Sequence, residues 1–200
     1  VGGVKPFLIE SSSQFRSVDP LPIDGPAYAA EVNDVKVIGS ATSATRTSLQ
    51  TYIARWWQSN PMISWNEVGT QLAGDADFDA IEAARLFAMQ NLSGADAAIN
   101  CWNDKYHFDF WRPWNAIPRA GEDNNPATQA DPAWTALITA PYPEWTSGHN
   151  CLDAANTTVL RMFFGDAPPG GYQITSVFVN PGGPATRTFS SFNQALDDAR

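Results

Sequence analysis

The chain has 200 residues, an apolar share of 44%, eight tryptophans and a formal net charge of −9. That length fits one domain with a substantial core, or one large piece of a bigger one. An acidic chain without a Lys/Arg run excludes a general nucleic-acid partner, and no apolar run is long enough to span a membrane.

The chain opens Val1-Gly2-Gly3-Val4-Lys5, with neither an initiator methionine nor a signal peptide. This reads as a processed product or a fragment of a longer one, and leans weakly towards an extracellular or periplasmic location. Residues 1–25, with Pro6, Pro20 and Pro22 and serines at 11–13, read as an extended surface arm. Pro26 opens a helix whose apolar stripe is Tyr28, Val32, Val35 and Ile38, and Gly39-Ser40 interrupts it. A second helix is expected over 43–59, burying Leu49, Ile53, Trp56 and Trp57. Asn60-Pro61 breaks the chain, because a residue before proline avoids the α region. A third helix covers 61–72.

Asp75-Ala76-Asp77-Phe78-Asp79 has the look of a calcium loop. An EF-hand register from Asp75 would need glycine at 80 and glutamate at 86, where the chain has Ala80 and Leu86. The acids read instead as the cap and dipole partners of a long helix over 77–110. Its core candidates are Ile81, Leu86, Phe87, Leu92, Ile99 and Trp102, and Gly94 is expected to kink or split it. The helix carries Lys105 and stops at Arg112-Pro113. Residues 113–146 form a long loop of a kind that usually has a function. A helix over 148–164 buries Leu152, Ala155, Val159, Leu160 and Phe163, and Pro168-Pro169-Gly170-Gly171 ends it. A hairpin follows, with strands at Tyr172–Val179 and Ala185–Phe189 around Asn180-Pro181-Gly182-Gly183. Ser190 or Ser191 caps a last helix. The fold class is all-α, a helical bundle with one small β-hairpin.

Cys101 and Cys151 are too few for a disulfide framework, and their apolar surroundings favour buried free thiols over a bridge. The sequons at Asn91 and Asn156 fall in predicted helices and read as chance matches.

Lys105 and Arg112 stand seven residues apart. On one continuous helix that spacing returns to nearly the same face, about 20° off and roughly 10 Å along the axis. Such a cation pair is usually a solvated surface. Here Tyr106, Phe108, Phe110, Trp111 and Trp114 interleave with it and would bury the helix end. Buried cations need a counter-charge, which a bound anion or the nearby Asp104 or Asp109 could provide. Ser147-Gly148-His149 reads as a helix start, with Ser147 as the cap. Helix N-termini favour anions, and a nearby anion favours imidazolium, so His149 can deliver a proton to a leaving oxygen. His107 lies about 200° around the helix from Lys105 and reads as structural. Cations, exposed N–H groups and an imidazole describe a site for a tetrahedral oxyanion.

Lys-x6-Arg-Pro followed by Ser-Gly-His resembles the vanadium-dependent haloperoxidase and type 2 phosphatidic acid phosphatase superfamily. Further stretches resemble its soluble haloperoxidase-like branch: Asn100-Cys101-Trp102 through Ile117, Asn125-Pro126-Ala127-Thr128, Asp131-Pro132-x-Trp134 and Pro143 to His149. So do Pro6-Phe7-Leu8, Arg187-x-Phe189 and Ser191-Phe192. The resemblance implies that Lys105, Arg112, Ser147 and the Gly148 amide bind vanadate, whose place phosphate or sulfate can take. It also implies that His149 is the acid–base group. The substrates would be peroxide and a halide, or a phosphate ester in a phosphatase using the same pocket, with no nucleic acid or membrane partner; homo-oligomers are compatible with the sequence. Thr146 stands where the family has proline. The family's third motif, an arginine followed by the histidine that bonds vanadium, is expected beyond Arg200, so no metal-ligating residue is identifiable in these residues. A phosphatase, or a non-catalytic binding protein retaining the fold, are therefore the alternatives to a haloperoxidase.

Overall fold

The computed structural model describes residues 1–178 and 182–199. Val179, Asn180 and Pro181 of the expected hairpin, and Arg200, lie outside the described residues. In chain order the helices are α1 (Pro26–Ile38), α2 (Ser48–Trp56), α3 (Pro61–Asp75), α4 (Ala80–Phe108), α5 (Pro113–Ala116), α6 (Gly148–Phe164) and α7 (Phe192–Asp198). One antiparallel sheet pairs β1 (Tyr172–Thr175) with β2 (Thr186–Phe189) in the register Tyr172↔Phe189. The mostly helical expectation with one small hairpin holds.

The chain forms two compact units. The first comprises residues 1–16, 48–103 and the chain from Ser147 onward, and the second comprises 17–47 and 104–146.

In the first unit the helix starts follow from their caps. Asn60 accepts from the Met62 N–H, with Pro61 preset for the first helical turn. Asp79 Oδ1 accepts from the N–H groups of Ile81 (2.8 Å) and Glu82 (2.9 Å), while Glu82 accepts from the Asp79 N–H (3.0 Å). This is a reciprocal capping box. Ser191, not Ser190, caps α7, accepting from the Gln194 N–H. α4 runs through Gly94 without a break. A Cβ there would lie 2.5 Å from the Met62 sulfur, so the glycine serves close packing on α3 rather than a kink. α6 stops at Phe164 because Gly165 turns to φ 74°, ahead of the prolines expected to end it.

The core of this unit joins Trp56, Trp65, Val68, Leu72, Leu86, Leu160, Tyr172, Phe189 and Phe192. β1 alternates in the expected way, with Tyr172 and Ile174 buried. Two core expectations fail. Leu49 is 63% exposed, because α2 is shorter than 43–59 and Leu49 lies in its first turn, two turns ahead of the buried Trp56. Ile81 is 79% exposed, since it opens α4 about 140° around the helix from the buried Leu86. Residues 1–16 hold no helix or strand. They are tied down where the Phe7, Leu8 and Ile9 N–H groups all donate to the Asp96 carboxylate, at 2.7, 2.7 and 3.0 Å. Burial works to raise the Asp96 pKa, but those three donors outweigh it and leave the carboxyl below its ordinary value.

The second unit buries Tyr28, Ile117 and Trp134, and is otherwise secured by side chains bonded to backbone. Asn125 donates to the carbonyls of Ile23 and Gly25 (2.9 Å each) and Trp134 donates to that of Lys36 (2.9 Å). Asn33 and Lys36 reach the carbonyls of Ala127 and Gln129. These bonds order the long loop after α5, which has no hydrophobic period of its own. Among the described residues no helix is long and apolar enough to cross a membrane.

Candidate functional site

Lys105 and Arg112 do not share a helix face. α4 ends at Phe108, Asp109 takes φ 46°, and Arg112 sits in extended conformation (φ −85°, ψ 158°) ahead of α5. The left-handed turn at Asp109 redirects the chain, so helical spacing past Phe108 does not apply. The cations nonetheless converge, because Phe110 pairs with Glu144 in an antiparallel bridge, the Glu144 N–H donating to the Phe110 carbonyl at 2.8 Å. This lays the segment bearing Arg112 along residues 142–144. Lys105 Nζ donates to the Pro143 carbonyl (3.1 Å) and lies 5.2 Å from the Tyr142 ring centre. The Arg112 guanidinium donates from Nε to the Tyr142 carbonyl and lies 4.9 Å from the same ring. Both contacts are cation–π distances.

Glu144 supplies a counter-charge. Arg112 Nη1 meets Glu144 Oε2 at 3.0 Å. Lys105 is only 1% exposed. Burial pushes its pKa down to about 8, with Glu144 raising it and Arg112 lowering it further. Two cations thus face one identified carboxylate ion pair. Glu144 was legible only as part of the resembling stretch, and Tyr142 lies just outside it; neither has a spacing that marks it. Burial around the cations is also less than expected, with Tyr106 60% and Trp114 40% exposed. His107 is exposed, its ring edge-on to Phe108 at 4.9 Å.

In the first unit, Ser147, Gly148 and His149 begin α6. Ser147 is the cap, its Oγ accepting from the Asn150 N–H at 3.3 Å, and it is exposed to solvent. The first N–H groups of a helix have no intrahelical partner and carry the positive end of its dipole. His149 Nε2 lies 3.2 Å from the Ser59 carbonyl, which fixes the ring. One turn on, Asp153 is buried and accepts from the Trp65 indole N–H at 2.7 Å, while its other oxygen has no partner. Burial raises the Asp153 pKa, and the Trp65 bond and the His149 charge oppose that rise. The sequence gives no sign of this aspartate's role, because it falls on the apolar face of a helix.

The free-thiol expectation is overturned. Cys101 and Cys151 form a disulfide that ties α4 to α6, with 6.4 Å between Cα atoms. Cys101 is buried as expected, at 1% exposed, whereas Cys151 is only half-buried.

The structure therefore brings Lys105 together with Arg112 in the second unit, and Ser147 together with Gly148 and His149 in the first. These groups are hydrogen-bond donors or cations, which fits an oxyanion such as vanadate and does not fit a bare metal cation. A family model described as the VCPO second helical-bundle domain matches residues 85–200. The chain belongs to this family. A curated relative, vanadium chloroperoxidase of Curvularia inaequalis, is 30% identical over 101 residues, covering 45% of this chain and 15% of its own length. The crystal structure of a bacterial vanadium-dependent iodoperoxidase matches 97% of this chain with a TM-score of 0.72 and 28% identity. The chain spans 47% of that structure's length. The motif-based resemblance to the vanadium haloperoxidase superfamily is thus confirmed, and the match covers all five site candidates.

Proposed function

We propose that this chain is part of a vanadate-dependent haloperoxidase, and that Lys105, Arg112, Ser147, the Gly148 amide and His149 are its contribution to binding vanadate and handling protons. The reading draws on the family membership. The observation that carries it is the convergence of Lys105 and Arg112 on Tyr142 and Pro143, with Glu144 as the identified counter-ion. Two close cations in a low-dielectric setting repel, and a multiply charged oxyanion relieves that repulsion.

Vanadate, when bound, supplies the Lewis acidity that activates hydrogen peroxide towards a halide. Lys105 and Arg112 would hold its oxygens and balance their charge. Ser147 Oγ and the Gly148 N–H would donate further hydrogen bonds. His149, its ring kept in place by the Ser59 carbonyl, would be the group that gives or takes a proton at the site. The Cys101–Cys151 disulfide agrees with residence in an oxidising compartment.

The test is an oxidation assay on the native-length protein, with bromide or iodide, peroxide and a dye acceptor. Activity that requires orthovanadate, and that Lys105→Ala and Arg112→Ala each reduce strongly, supports the reading. Hydrolysis of p-nitrophenyl phosphate that orthovanadate inhibits, without halide oxidation, overturns it in favour of a phosphatase.

A further inference from the structure

The oxyanion chemistry leaves the buried Asp153 of α6 without a part. This side chain is 1% exposed, and a carboxylate so placed is costly unless its charge and both its oxygens are met. One oxygen accepts from the Trp65 indole N–H at 2.7 Å, and the other makes no hydrogen bond. Native structures seldom keep such an atom without a reason.

A neighbour on the same helix supplies the reason. His149 stands four residues before Asp153 on α6. Residues at that spacing share a face, with about 5–6 Å between Cβ atoms. Helical side chains lean towards the N-terminus, which tips the Asp153 carboxyl towards the turn that bears His149. One stretch of chain docks both groups, the Ser59 carbonyl meeting His149 Nε2 and the Trp65 indole meeting Asp153. A carbonyl can only accept, so Nε2 keeps its hydrogen and Nδ1 is the ring atom at which a proton comes and goes. A proton taken up there leaves a positive ring one turn from a buried carboxylate. The charge that opposes the burial of Asp153 is that of His149, and coupling of this kind is reciprocal. Other charges on α6 and on the elements of this unit are met elsewhere: Arg161 by Asp166, Arg187 by Asp198, and Asp96 by the N–H groups of residues 7–9. Glu67 of α3 is exposed.

We infer that Asp153 is a positioning residue for His149, its negative charge steadying the protonated ring at the start of α6 so that Nδ1 stays ready to deliver a proton. The inference rests on the reading of His149 as the group that handles protons. Trp65 is the anchor, holding one carboxylate oxygen so that the other remains on the His149 side of the helix. This role needs the charge of Asp153 and not only its shape. A purely structural aspartate, kept for the Trp65 bond alone, would be replaced without loss by asparagine, whose carbonyl oxygen accepts equally well.

Exchange of the imidazole Cε1–H for deuterium, read by mass spectrometry across a range of pH, gives the titration midpoint of each histidine in the native-length protein. Asp153→Asn keeps the size of the side chain and the acceptor for Trp65, and removes the charge. The His149 midpoint should fall by about half to one pH unit, a threefold to tenfold loss of proton affinity. The exposed His107 should not move, and serves as the internal reference. Asp153→Ser takes the place of this variant if circular dichroism shows that it does not fold. A His149 midpoint that stays or rises in a folded variant overturns the inference, as does a fall that His107 shares equally. Neither vanadate nor peroxide enters the measurement. Failure of the pairing therefore leaves the haloperoxidase reading standing, and absence of halide oxidation leaves the pairing standing.

Discussion

Trp65 in the first unit and Trp134 in the second are both buried indoles, and different forces hold them. Trp65 lies among Tyr172 and Phe192, with ring centres 6.1 and 6.2 Å away, inside a continuous aromatic and aliphatic core. Trp134 is anchored by its indole N–H to the Lys36 carbonyl, in a unit where polar side chains bonded to backbone do most of the ordering. The first kind of cohesion leaves a trace in sequence, because apolar burial imposes a period on helices and strands. The second leaves almost none, because one asparagine can satisfy two distant carbonyls from any position. That is why α3, α4, α6 and the hairpin were legible, while residues 113–146 were readable only as a loop.

The largest expected effect sharpens this contrast. The disulfide lies wholly within the first unit and closes a loop of 50 residues, which in the chain-entropy account is worth about 4 kcal/mol. The double variant Cys101→Ala/Cys151→Ala should therefore lower stability by that order in urea unfolding. Amide exchange should show the loss in the first unit, with the bonds of Asn125 and Trp134 in the second little changed. Equal loosening of both units would dissolve the distinction. The burial of Cys101 was readable from the sequence, but its pairing with the half-buried Cys151 was not, since two residues 50 apart in sequence meet only once α4 and α6 have packed.

Within the second unit the cations were legible as residues and misjudged as geometry. The seven-residue helical argument fails at Asp109, yet Lys105 and Arg112 still meet through a strand-like pairing that no periodicity announces. Sulfate, whose charge does not change near neutral pH, is a suitable probe of the pair. Lys105→Met should weaken sulfate binding by about 1.5–3 kcal/mol, the cost of a lost charge-assisted contact. The pH dependence follows from the Lys105 pKa of about 8 against an ordinary 10.5. The free protein releases this proton as pH rises through 8, so sulfate affinity should fall above pH 8 and be flatter in the Met variant. Over the same window from 8 to 10.5 the unfolded chain holds more protons, so Lys105's contribution to stability rises with pH. Unchanged affinity from pH 7 to 10 in the wild type would show that Lys105 does not face the anion.

Asn125 tests the second unit's own mode of cohesion. Asn125→Ala leaves the Ile23 and Gly25 carbonyls without their donor and removes the acceptor of the Ala127 N–H. A loss of about 2 kcal/mol is expected, read as faster proteolysis around residues 17–25 and 123–129. Resistance equal to wild type would mean that apolar contacts order this unit after all. Asp79→Ala in the first unit should cost about 1 kcal/mol, the ordinary value of an N-cap, because the core holds α4 regardless of how it starts.

The smallest effect is the most exacting for the argument from periodicity. Leu49 has the angular position of a core residue, seven places before Trp56, and yet stands 63% exposed. A period gives the direction in which a side chain points, but not whether the core reaches that far along the helix. Leu49→Gln should therefore change stability by less than about 0.5 kcal/mol, as for ordinary surface positions, while Trp56→Leu on the same face should cost several times more. A large loss at Leu49, measured by urea unfolding, would mean that α2 is buried over its whole length, and that the first unit is as readable from periodicity as the sequence first implies.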